Sequence, residues 1–454
     1  MYKTWMTISE TVLSELAQCT DEGRDVRRFS DEAQLIYECF TEGQLLEDSA
    51  CRLIDKMRSS PVRDDYPYNE PNSLNDIKLA RPGNRDVKPL NVNWDSYYDK
   101  VYGAWLGRCA GCLLGKPIEC WHRERITGLL KETGNYPVKH YISSEIDISL
   151  KDKYKVVDMS KDGLAKVCWI NNVACAPVDD DTNYTALYLK ILENEGCDFT
   201  SEKIAEYWLR LLPIYETCTA ERVAYKNIVN LILPPMSASH YNAYRELIGA
   251  QIRADFFGYV NPGNPEKAAE YAWRDGRVSH VKNGIYGEMF MAAMIARAAV
   301  SNDINDIILA GLNEIPKKSR LSEGIEEVLK WHDQKISWEE AIEKIHATWN
   351  EKEGHQWCHV ISNAVVCVVS LLWGEKDFVK TIGISVMAGF DTDCNAASVG
   401  SVIGMIVGAK ALPDSWMKPL NNKLLTVVNG MEVCEISDLA KRTYNLAKKL
   451  KEFS

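Results

Sequence analysis

The sequence predicts an all-α protein: a compact multi-helix domain with a small helical module ahead of it. Three observations lead there. Apolar residues recur at the spacing of one helix face behind capping residues, strand-like alternation is scarce, and two segments repeat small residues at every fourth position. In the first stripe these are Gly103, Gly107, Gly111 and Gly115; in the second, Ala396, Gly400, Gly404 and Gly408.

Residues 1 to 58 read as short amphipathic helices, with Thr7/Glu10 and Thr41/Gln44 matching the capping box. From Pro61 to Pro89 come five of the chain's 16 prolines among few apolar residues, which marks a linker or an extended strap. A boundary near residue 90 follows, with a helical module and Pro-rich linker over 1–90 and the main domain over 91–454. Helical patterns then recur over 96–115, 183–194, 201–211, 240–257, 284–300, 322–331, 338–349, 361–373, 376–388 and 394–410. The stretch from Trp121 to Val178 is long and rich in turn residues, the character of a functional lid or wall. Glycine inside a helix costs about 1 kcal/mol relative to alanine. Two regular stripes therefore need a compensating gain, and close approach of each helix to a neighbour at the centre of the domain supplies it.

Of the 454 residues 46% are hydrophobic and 26% charged, which excludes disordered, collagenous and membrane classes. The net charge of -11 leaves no global field for nucleic acid or anionic lipid, so an anionic ligand needs a local site. The most apolar stretch, Cys394 to Leu412, carries Lys410 and opens at two aspartates, so it reads as a buried helix and not a membrane span. The 14 cysteines are spread from Cys19 to Cys434, which fits reduced thiols. With no signal-like run at the N-terminus, the expected location is cytoplasmic.

Two acidic helix starts carry the chemistry. Asp179, Asp180 and Asp181 stand directly ahead of an apolar helix, and Asp391 and Asp393 open the second striped helix. Capping accounts for a single aspartate at such a place. Adjacent carboxylates repel one another unless cations bridge them, and hard oxygen ligands are what Mg²⁺, Mn²⁺ and Ca²⁺ take. Taken together, the two starts point to a binuclear hard-metal site built from both helix N-termini.

The segments YGAWLGRCAGCLLGKPIE (102–119), DDDTNYT (179–185) and FDTDCNAA (390–397) resemble, in that order, the three signature regions of the ADP-ribosylglycohydrolases, the dinitrogenase-reductase-activating glycohydrolase family. Residues 248–280 are similar to the family's central segment, so the resemblance covers roughly 91–420 and leaves out the N-terminal module. It implies an all-α ADP-ribosylglycohydrolase-type domain with two Mg²⁺ or Mn²⁺ ions in a cleft. The implied activity is hydrolysis of the glycosidic bond at the ribose anomeric carbon of an ADP-ribosyl group or related ribosyl compound. The implied partner is small-molecule or protein-linked ADP-ribose, with no membrane, and nucleic acid only as a modified substrate. The metal ligands map onto Asp180, Asp181, Asp391 and Asp393, with Asp179 and Cys394 beside them where many members carry hydroxyl residues. Glu119 and Asp393 are the catalytic candidates, Glu119 as base or proton shuttle. Amides near Gly249 and Gly389 are candidates for the pyrophosphate, and His280 for the cleft wall. Cys112 stands where many members have aspartate, and sulfur at Cys394 suits hard ions poorly; the expectation is that Cys394 only packs. The Cys109–Cys112 pair reads as small core thiols. The rival from another class is a non-catalytic ADP-ribose or nucleotide-binding protein that keeps the fold and metals.

Overall fold

The computed structural model describes residues 4–83, 90–160 and 166–452. Among these residues it holds 23 α-helices and one two-stranded antiparallel sheet, Lys423–Leu425 with Val433–Glu435 in register Leu424 to Cys434. The expected all-α class is what forms. Part of the Pro-rich stretch, 84–89, and part of the long segment, 161–165, lie outside the described residues.

The two striped helices, Trp94–Gly115 and Thr392–Val407, pack on each other in antiparallel fashion. A Cβ on Gly103 would overlap the carbonyl of Gly404, one on Gly107 that of Gly400, and one on Gly111 that of Ala396. Each glycine is therefore required by the backbone opposite it, and neither stripe is incidental. Helices Asn283–Ala298, Val360–Trp373 and Phe378–Met387 close around Thr392–Val407, so the second acidic start opens inside the core.

Two readings are corrected. Residues 240–257 do not form one helix; Ile248–Arg253 is a 3-10 turn followed by the helix Asp255–Val260. The reason is a competing partner: Ile248 N–H donates to Cys358 O and Val360 N–H to Glu246 O, taking the backbone groups a helix would use. Thr7 precedes the helix Ile8–Asp21 without a side-chain cap, and Thr41 ends the helix Ser30–Thr41. Helices Pro265–Gly276, Ile304–Leu312 and Ile436–Glu452 were not anticipated.

Helices Ile8–Asp21, Ser30–Thr41 and Glu47–Ser59 share their own apolar cluster around Val12, Ile36, Leu53 and Ile54. They are tied to the body by buried charges. Arg245 donates to Glu15 at 2.9 Å and to Glu22 at 2.8 Å, while Arg320 joins Glu70 at 2.9 Å and Glu246 at 2.7 Å. The described part of the proline segment, which includes the helix Leu74–Ala80, runs as a strap: Trp273 Nε1 donates to Asn72 O at 2.9 Å and Asn69 N–H to Lys318 O at 2.8 Å. Arg245→Met removes the arginine that joins Glu15 to Glu22 and leaves Glu15 with Arg58 and Glu22 with Arg24 and Lys282, so we expect a loss of about 1–3 kcal/mol, measured by denaturant unfolding.

Asp21 of the first helix meets His355 Nε2 at 2.8 Å and His359 Nε2 at 3.7 Å. His359 is fully buried and its Nδ1 accepts from Ile361 N–H, so the neutral ring is the one the site holds. Burial pushes its pKa from 6.5 down to about 3, against the raising pull of Asp21; His355, Arg320 and Glu70 also face it. Because the folded pKa lies below the unfolded one, this stability is present above 6.5 and lost as pH falls toward 3. In His359→Asn, which can still cap Ile361, the thermal midpoint should fall less steeply over that window than in the parent.

Candidate functional site

The helix Asp180–Glu195 begins after Asp179, whose side chain accepts from Asp181 N–H at 2.9 Å. One aspartate does the capping, which frees Asp180 and Asp181 from that duty. Asp391 sits at the N-cap of Thr392–Val407 and makes no side-chain cap bond at all. Capping therefore explains one carboxylate among the five.

The C-terminal end of Trp94–Gly115 bridges the two starts. Lys116 Nζ pairs closely with Asp179, and Thr392 Oγ1 donates to Gly115 O at 3.0 Å. Further back on this helix, fully buried Arg108 contacts Asp181 at 3.2 Å and Asp255 at 2.9 Å and also donates to Asp181 O. On the other side, Asn363 Oδ1 accepts from Asp391 N–H at 3.1 Å and from Asn395 Nδ2 at 2.8 Å. Asp181, Asp391 and Asp393 are buried, Asp180 is half-buried, and Glu119 is accessible to solvent.

Electrostatics show how tightly these groups are massed. The charge of Asp393, then burial, raises Glu119 well above the usual carboxylate range. Burial and the charges of Asp179, Asp393 and Glu221 push Asp180 up to about 8. Burial and Asp179 push Asp393 up to about 6, and burial with Asp393 and Glu119 raises Asp391. Burial raises Asp181 in spite of Arg108. Asp179 alone is held below the usual range: its burial raises it, but Lys116 and the hydrogen bond from Asp181 N–H together bring it down. Asp181 Oδ2, Asp391 Oδ1 and Asp393 Oδ1 are buried and have no hydrogen-bond partner. Buried anions without donors are costly unless cations meet them, so the residues present fit a divalent-cation centre.

The structure thus brings Glu119, Asp179, Asp180, Asp181, Asp391, Asp393 and Cys394 into one region. The other three expected residues sit differently. Gly249 lies against the carboxylate of Glu221, which is paired to Arg253 at 2.7 Å and whose charge helps raise Asp180. Gly389, with φ of +79°, lies against the carboxylate of Glu351 and against Arg123. An anion meets a negative neighbour at either glycine. His280 is fully buried, bonds Ser279 Oγ at 2.8 Å through Nδ1, and lines a separate cavity of about 670 Å³ beneath the strap. Cys109 and Cys112 are buried free thiols within Trp94–Gly115, as expected.

Sequence reasoning missed Lys116, Arg108, Glu221, Cys218 and Cys358. Lys116 and Arg108 lie within the first motif, so a positive charge beside an expected acidic cluster was the available signal. Cys218 and Cys358 lie in no motif, and only the fold brings them in: burial and then the charge of Asp180 raise the Cys218 thiol, and Cys358 Sγ lies 4.0 Å from Asp391 Oδ2. Trp169 is buried against Trp121, so the two ends of the long segment pack on each other.

Fold and site together define an all-helical protein with a massed acidic centre suited to divalent cations. The ADP-ribosylglycohydrolase family model matches residues 93–452, and the chain belongs to that family. Membership supports a glycohydrolase-type function. The solved structure of an ADP-ribosylglycohydrolase-related protein complex is similar, at 17% identity and a TM-score of 0.47, over 78% of this chain and 99% of that one. No curated protein matches this sequence. Among the described residues no helix is long and apolar enough to cross a membrane.

Proposed function

We propose that this chain is a metal-dependent hydrolase that cleaves the glycosidic bond at the ribose anomeric carbon of an ADP-ribosyl group or related ribosyl compound. The observation that carries the proposal is the meeting of two acidic helix starts, only one of whose aspartates is used for capping, beside a solvent-accessible glutamate. Asp180, Asp181, Asp391 and Asp393 would hold two Mg²⁺ or Mn²⁺ ions, with Asp179 kept by Lys116 as the cap of the first start. Such ions supply Lewis acidity, which orients ribose hydroxyls and acidifies a water.

The chain's own residues do the rest. Arg108 fixes the carboxylate and carbonyl of Asp181, and Asn363 fixes the backbone of Asp391, so the two acidic starts keep their spacing. Glu119 reaches the same region from the first motif, and the charge of Asp393 and burial hold its proton more tightly than in an ordinary carboxyl, which suits a group that gives and takes a proton. The carboxylates around it stabilise the positive charge that develops on the ribose ring as the glycosidic bond breaks.

The test is incubation of the Mn²⁺-loaded protein with ADP-ribosylated protein while free ADP-ribose is followed. Release that stops with chelator and returns with Mn²⁺ is expected. Binding of ADP-ribose without release would establish the non-catalytic binder instead.

A further inference from the structure

We infer that this centre is a mixed oxygen and sulfur one that selects thiophilic divalent cations such as Zn²⁺ and Co²⁺ over Mg²⁺, an inference that rests on the cation centre proposed above. Each half of the centre carries a thiol beside its carboxylates. Cys112 Sγ lies within 4.8 Å of carboxylate oxygens of both Asp179 and Asp181, and Cys394 Sγ lies within 4.8 Å of those of Asp391 and Asp393. Two ligands of one ion, each roughly 2.0–2.3 Å from it, stand roughly 3–4.5 Å apart, so small side-chain rotations bring Asp391, Asp393 and Cys394 onto a single cation, while in the other half Cys112 stands beside Asp181 and Lys116 keeps Asp179 as the cap.

Two further thiols come from elsewhere in the chain: Cys358 beside Asp391 at 4.0 Å, and Cys218, near enough to Asp180 for that carboxylate to help raise its pKa after burial. Packing of the striped helices explains a small side chain at Cys112 or Cys394, but Cys218 and Cys358 are on neither helix. Four of the 14 cysteines, from four separate segments, thus gather at one acidic centre. The orphaned oxygens Asp181 Oδ2, Asp391 Oδ1 and Asp393 Oδ1 independently mark it as a place for a cation.

Carboxylates alone favour hard ions, whereas sulfur moves preference toward Zn²⁺, Co²⁺ and Cd²⁺. On coordination the thiol loses its proton to solvent, so a metal–sulfur bond forms as the S–H bond breaks and one H⁺ leaves per thiolate. This revises the expectation that Cys394 only packs, and the revision comes from the thiols that the fold brings in.

The test is Co²⁺ titration of the metal-free full-length protein, read by electronic absorption, with Zn²⁺ against Mg²⁺ competition followed by calorimetry. A thiolate-to-cobalt charge-transfer band is expected, and it should weaken in the Cys112→Ser/Cys394→Ser double variant, which keeps Cys358 beside Asp391. In that variant the preference for Zn²⁺ over Mg²⁺ should fall by about tenfold or more. The parent spectrum decides the matter even if the variant folds poorly. Co²⁺ bound without the band overturns the sulfur inference and leaves the cation centre standing, whereas no binding of Co²⁺, Zn²⁺ or Mg²⁺ overturns both.

Discussion

Asp391→Asn and Asp393→Asn are each expected to lower turnover by about 10³-fold or more and to weaken cation binding, while the fold survives. Both carboxylates are buried, and each carries an oxygen with no hydrogen-bond donor. Their grouping opposes folding when no cation is present, so in metal-free buffer either variant should be as stable as the parent or more so. The pH dependence has a definite sign. Asp180 titrates at about 8 when folded and near 3.8 when not, so the folded state holds a proton that the unfolded chain has released. Stability of the metal-free protein therefore falls as pH rises between those values, and added divalent cation should restore most at the alkaline end. Thermal unfolding with and without Mn²⁺ measures both effects. Asparagine variants that bind Mn²⁺ as the parent does would remove these residues from the ligand set.

Gly107→Ala should be severely destabilising, by about 3 kcal/mol or more, because overpacking against an immovable backbone forces whole helices apart. The added methyl would overlap the carbonyl of Gly400, and no side-chain rotation relieves a clash with a main chain. Separation of the two helices also loosens the bond from Thr392 Oγ1 to Gly115 O and moves Asp391 and Asp393 away from the first motif, so cation affinity should fall along with stability. Gly354→Ala is the control: it is exposed with nothing within 4 Å of the added carbon, and should be neutral or slightly stabilising. Equal denaturation midpoints for the two variants would contradict the close helix contact.

The centre of the fold was legible because glycine at every fourth position has a cost that only close packing offsets, and the two stripes indeed face each other. The acidic starts were legible because three adjacent carboxylates exceed what a helix cap needs. Residues 240–257 misled because apolar periodicity says nothing of a partner strand of chain, and the backbone groups there bond to residues near Cys358. The tie between the first three helices and the body was hidden because Glu15, Glu22, Arg245 and Arg320 look like ordinary surface charges until the fold buries them. Glycine as a phosphate-binding signal failed to convey that Gly249 and Gly389 each lie against a carboxylate, a relation set by residues far away in sequence.

The central claim is that two acidic helix starts, some 200 residues apart, build one two-ion centre. An anomalous-scattering map from crystals grown with Mn²⁺ tests it most directly. The account predicts two peaks among the carboxylates of Asp180, Asp181, Asp391 and Asp393, with Glu119 facing them. Crystals saturated with Mn²⁺ that show no peak among these four side chains would contradict it.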